Sequence, residues 1–193
     1  MQNFLLTIDR ISNFFGKTFA WSIVVLTFAI VYEVFSRYMF RAPTTWAFDV
    51  SYILYGTLFM MAGGYAMARN GHVRGDFLYR NFAPRTQAAL DLVLWLIFFY
   101  PAMIALVWMG WGFFQQSYFQ NERSAFSPQG PVIWPFKFLI PFVGCLMSIQ
   151  GIAEVIRCVL CIRDGDWPQR LHDVEEMEKL ILERAAAERD GNA

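Results

Sequence analysis

Long apolar stretches alternate with short charged ones along this chain, and the length of each stretch limits what it can be. No charge interrupts the chain between Lys17 and Glu33, and continued to Phe40 the segment can cross about 30 Å of hydrocarbon. Its apolar core runs into Glu33-Val-Phe-Ser-Arg37 with no small-x-small cleavage site, so it reads as a retained helix and not as a signal peptide. The pattern predicts a first membrane helix over 18–40. Val50 to Ala68 is again free of charge and predicts a second over 46–68, with Gly71 placed to supply a left-handed cap. Pro84 suits the first turn of a helix, and no charge stands between Leu92 and Asn121, which predicts a third helix over 84–121. At 1.5 Å per residue it would be about 55 Å long, so it must tilt or stand out of the bilayer, and Pro101 gives it a place to kink. The last apolar run, Phe138 to Ala153, extends toward Val132 through Trp134 and a snorkelling Lys137, and toward Arg163 at its other end, predicting a fourth helix over 132–163.

The flanks carry a different pattern. Phe4, Ile8, Ile11 and Phe15 recur at helical spacing beside Asp9, Arg10 and Asn13, which predicts a helix lying in the membrane interface before the chain turns inward. After Gly165, Leu171, Val174, Met177 or Leu180, and Ile181 recur among many charges, as in a soluble amphipathic helix opened by Asp166 and Pro168. The expected fold is an all-α integral membrane protein of four transmembrane helices. It has a membrane domain over 1–163 and an acidic tail helix over 164–193, with no internal repeat.

Composition supports the bilayer: 56% of the residues are apolar, 18% aromatic and only 17% charged, too apolar for an ordinary soluble domain of this length. The formal net charge is zero, yet nine acidic and four basic residues lie from Asp164 onward, leaving seven acidic and twelve basic before it. Basic residues scattered between apolar runs, with no basic face, argue against nucleic acid as a partner. With both termini on the cytoplasmic side, twelve basic residues fall inside and four outside. The positive-inside bias and an even number of helices therefore agree on a cytoplasmic N-terminus and C-terminus.

Few residues offer chemistry. His72 and His172 are the only histidines, and neither lies in a predicted span, so the pair of facing axial ligands that a membrane haem needs is missing. Cys158 and Cys161 have redox-motif spacing but end an apolar helix without a βαβ context, and they read, like Cys145, as small buried residues. No cofactor, metal site or catalytic residue is expected. Charges in a membrane are functional suspects, but here they keep to the helix ends: Glu33, Arg37, Asp49 and Lys137 at the outer level, Arg69, Glu154 and Arg157 at the inner. The central layers hold nothing that titrates, whereas a self-sufficient carrier of ions would be expected to place a carboxylate or a broken helix at the midplane. The bland reading of these charges is local pairing that fixes helix ends; the functional reading is pairing with a second membrane protein.

The order of particular residues adds to this. Glu33-x3-Arg37-Tyr38-x-Phe40, Trp46 with Asp49, and Gly71-His72-Val73-Arg74-Gly75-Asp76 before a long helix resemble the small membrane subunit, DctQ type, of tripartite ATP-independent periplasmic (TRAP) transporters. Glu122-Arg123-Ser124, Trp134-Pro135-x-Lys137, Ile140-Pro141 and Gln150-Gly151-x2-Glu154-x2-Arg157 resemble one branch of that family. The resemblance covers roughly residues 30 to 160, and departs from the family pattern at Gly75 and Asp49 without removing a charge. It implies a non-catalytic scaffold in the bacterial inner membrane. Its partners would be the lipid bilayer, a large multi-helix subunit that carries sodium and an organic anion, and a periplasmic substrate-binding protein. Glu33, Arg37, Asp49, His72, Arg74, Asp76, Glu122, Arg123, Lys137, Glu154 and Arg157 are then the candidates for partner contacts or helix-end pairs. An anchor for a redox enzyme and a self-contained small transporter are the rival expectations.

Overall fold

The computed structural model describes residues 2–71, 79, 82–127, 130–168 and 170. Its main elements are α1 (Gln2–Ala20), α2 (Ser22–Met39), α3 (Ala47–Ala68), α4 (Pro84–Leu94), α5 (Tyr100–Phe119) and α6 (Trp134–Asp164), with a π-helical turn over Trp95–Phe99 joining α4 to α5. No strand forms among the described residues, where Arg123 and Val132 make an isolated antiparallel bridge. Only Trp21 separates α1 from α2, so four spans are long and apolar enough to cross a membrane: Gln2–Met39, Ala47–Ala68, Pro84–Phe119 and Trp134–Asp164. The chain is an all-α, multi-pass membrane protein, as its apolar pattern predicts.

The fourth span is the centre of the bundle. Along α3 it runs parallel, Met61 packing on Val143 and Leu146 and Gly56 lying beneath the Phe136 ring. Along α5 it runs antiparallel, with Gly110 against Ile140, Gly144 against Val107 and Gly151 against Phe99. The first span is antiparallel to α3: Gly16 faces Tyr65 near one end, and Tyr32 stacks on Trp46 at 5.9 Å near the other. One end of the bundle thus carries the loops 40–46 and 120–133, called the rim below; the other carries the N-terminus and the end of α6, called the tail end.

Burial is inverted relative to a soluble protein. Asp9, Ser12, Asn13, Gln150, Glu154 and Arg157 are buried, while Phe28, Phe59, Trp108 and Phe119 are each more than 70% exposed. Apolar side chains pointing outward are stable only against lipid or an apolar partner. The same inversion corrects the placement expected for the N-terminal helix. An interfacial helix would turn Asp9 and Asn13 to water, whereas α1 buries Asp9, Ser12 and Asn13 and exposes Phe4, Ile11 and Phe14. The reason is that partners for the polar face exist inside: Arg69 Nε donates to Asn13 Oδ1 at 3.4 Å, and α6 supplies the rest.

One local expectation also differs from the structure. Asn70, at φ 56°, is the left-handed residue after α3, and Gly71 is the next one along. Its N–H reaches the Ala66 carbonyl at 2.9 Å while Asn70 N–H reaches Met67 at 3.1 Å, the Schellman pattern, which Asn tolerates because its short polar side chain suits this conformation. At Pro101, where the sequence offers a place to kink, the third span widens over Trp95–Phe99, and Tyr100 N–H donates to the Trp95 carbonyl five residues back. A proline ring conflicts with the carbonyl four residues earlier and removes one N–H, and a wide turn accommodates both. It also places Phe99 over Gly151.

Candidate functional site

Charged and polar side chains gather at the two ends of the bundle. At the rim, three links join loops to helices. Glu33 on α2 accepts from Arg37 Nη2 at 2.5 Å and Nε at 2.9 Å, and its other oxygen accepts the Thr44 N–H at 2.9 Å and the Thr44 hydroxyl. One carboxylate therefore ties the end of α2 to the following loop. Asp49, fully buried in the first turn of α3, accepts from the hydroxyls of Ser124 and Ser127. A carboxylate is favoured there by the helix dipole, and its contacts fasten the α5–α6 loop to the α2–α3 corner, where the Ser127 hydroxyl also lies against the Thr45 carbonyl.

The third link is Lys137, whose Nζ lies 2.5 Å from Glu122 and 3.8 Å above the Phe113 ring. The Lys137 ammonium holds the Glu122 carboxyl below the usual range. Arg123, exposed beside it, donates to the Gly130 carbonyl at 3.5 Å. Asp49 thus stands beside Ser124 and Ser127, Glu33 beside Arg37, and Glu122 beside Lys137, each as part of a collar.

The tail end holds a buried knot. Arg157 on α6 donates Nη1 to Glu154 Oε1 and Nη2 to Asp9 Oδ2, both at 2.6 Å. Gln150 Nε2 donates to the second Asp9 oxygen at 2.9 Å, and its own Oε1 accepts the Ser12 hydroxyl at 2.8 Å. Glu154 is also gripped by Arg170, through Nη1 at 3.0 Å and Nη2 at 2.7 Å. Sequence reasoning singled out Glu154 and Arg157 but passed over Asp9, Ser12 and Arg170. The available signal was a polar stripe: Gln150, Glu154 and Arg157 fall at i, i+4 and i+7 on one face of an otherwise apolar helix, and Asp9, Ser12 and Asn13 fall on one face of another. His72, Arg74 and Asp76 lie outside the described residues, as does the tail beyond Arg170.

Between the two ends, the apolar middle has small-residue contacts and Cys145, which is exposed where its sequence context suggests burial, while Cys158 and Cys161 are buried at the tail end beside Ala88. Among the described residues no group of three or more His, Cys, Asp or Glu is placed to hold a metal ion. Polar groups tie the spans together at both ends and apolar side chains face out.

A match along the chain decides the family. The family model for tripartite ATP-independent periplasmic transporters, DctQ component, matches residues 26–161. The chain belongs to the DctQ family. No curated protein matches it. The matched region holds the rim links and the α6 half of the knot, while Asp9 and Arg170 fall outside it. As a DctQ protein the chain is the small membrane component of a TRAP transporter.

Proposed function

We propose that this DctQ protein is a non-catalytic scaffold in the bacterial inner membrane. It would brace a large membrane subunit that carries sodium and an organic anion, supplied by a periplasmic binding protein. The observation that carries this reading is the inverted bundle: charged side chains are tied to partners at the ends, the apolar middle of every span holds no Asp, Glu, Lys, Arg or His, and large apolar side chains face outward. A domain that moves across the bilayer needs a wall that does not, and long spans with aromatic outer faces widen that wall. The rim faces the periplasm in this reading, offering exposed Arg123 to the binding protein. His72, Arg74 and Asp76, with Glu154 and Arg157, mark the cytoplasmic end, where contact with the large subunit is expected.

The test is purification of the tagged full-length chain from its host membranes, followed by reconstitution. A multi-helix membrane protein should co-purify, and sodium-driven uptake should need both proteins. Uptake by liposomes holding this chain alone, or a preparation carrying a redox enzyme instead, would overturn the reading.

A further inference from the structure

Arg170 lies beyond the end of α6, yet its guanidinium clasps Glu154, sixteen residues earlier. The chain gets there by turning at Gly165, whose φ of 91° is left-handed, and by packing Trp167 on the cluster formed by Ala88, Cys158 and Cys161. The Arg170 and Glu154 side chains are 5% and 4% exposed, and those of Arg157 and Asp9 are fully buried. Charges alternate along the row: Asp9, Arg157, Glu154, Arg170. Without Arg170 the row holds two carboxylates and one guanidinium, leaving one negative charge unbalanced in a buried place, which is costly.

We propose that the start of the cytoplasmic tail is a strap: the seating of Arg170 on Glu154 balances the buried row and thereby holds the N-terminal helix against α6. When Arg170 leaves, Arg157 must serve both carboxylates, and the one that can move is Asp9, because Glu154 shares α6 with Arg157 whereas Asp9 stands on a separate helix, α1, which meets α6 through Leu5 and Ile8 on Ala153, Ser12 on Gln150 and Phe15 on Phe142. Coupling of this kind is reciprocal. A partner that draws the tail away loosens α1, and a partner that displaces α1 frees the tail.

Hydrogen exchange read peptide by peptide on the full-length chain in lipid nanodiscs tests this, comparing the unmodified protein with Arg170→Gln and with Glu154→Gln/Arg170→Gln. In the single variant, amides of Leu5 to Asn13 should exchange about tenfold faster, together with those from Gly165 onward. The double variant removes one charge of each sign and leaves Asp9 balanced by Arg157. Its α1 amides should return to within about twofold of the unmodified rate while the tail stays fast. Unchanged α1 exchange in Arg170→Gln would overturn the strap, as would equal loosening of α1 in both variants, since lost packing and not charge balance would then be the cause. If the single variant does not fold, the double variant decides alone: protected α1 amides support the strap and exposed ones overturn it.

Discussion

Gly16 and Gly112 are both helical glycines in apolar surroundings, and their environments separate two roles. A Cβ on Gly16 would lie 2.4 Å from the Tyr65 Cβ, while one on Gly112 would meet nothing within 4 Å. The Tyr65 Cβ cannot swing away as the tip of a long side chain can, so Gly16→Ala must push α1 off α3. A loss of about 1–3 kcal/mol is expected. Gly112→Ala should be neutral or gain up to about 1 kcal/mol by stiffening an open helix position. Denaturant unfolding of both variants in one detergent checks the contrast, and equal effects would mean that α1 and α3 are not in close contact. This distinction was not legible in the sequence, because composition says nothing of what faces a glycine. Asp9 was misread for a related reason: its apolar neighbours fixed a helix, but which side of that helix meets lipid depends on polar residues more than a hundred positions away, Gln150 and Arg157. By contrast, that Glu33 and Arg37 could meet was legible, since an i, i+4 spacing on a helix brings two side chains together whatever surrounds them.

Among the elements, the spans were the most legible part of the fold, because hydrocarbon thickness imposes a minimum length that few other structures share. What escaped were the places where one span departs from regular geometry. A break between Ala20 and Ser22 has no Gly or Pro to announce it, and the wide turn before Pro101 is one of several ways a helix can absorb a proline. Helix ends are governed by local chemistry, and three of the four spans end beside a non-glycine residue with positive φ, namely Arg41, Asn70 and Asn121. The fourth uses Gly165, whose N–H donates to the Cys161 carbonyl at 2.8 Å. An added Cβ there would lie no closer than 3.6 Å to Arg85, so space is available and the cost of a side chain is conformational. Gly165→Ala should therefore lose about 1–2 kcal/mol, the penalty of a left-handed L-residue, seen as a lower denaturation midpoint. Gly165→Asn, better suited to this conformation, should lose less. Equal losses for the two would point to packing instead.

At the scale of the whole molecule, the bundle has two unlike ends, and which of them faces the cytoplasm follows from charge. The stretch between the second and third spans holds Arg69, Arg74, Arg80 and Arg85, and six basic residues follow from Arg157, whereas the loops at the rim with their adjoining helix ends hold Arg37, Arg41, Arg123 and Lys137. Positive residues near span ends are retained on the cytoplasmic side, so the rim should be periplasmic and both termini cytoplasmic. Single cysteines placed at Ser127, Asn70 and Gly191 in intact cells test this, in a background where exposed Cys145 is replaced by serine. A thiol reagent that cannot cross the membrane should label Ser127→Cys from outside, while Asn70→Cys and Gly191→Cys should react only after the cells are opened. Labelling of Asn70→Cys and Gly191→Cys from outside, with Ser127→Cys protected, would reverse the orientation. Labelling of Ser127→Cys and Gly191→Cys together would leave an odd number of crossings and exclude the four-span arrangement. The rim would then be unable to meet a periplasmic protein in the first case, and the buried knot could not hold both ends of the chain on one side in the second, because Asp9 of the first span and Arg170 after the last share it.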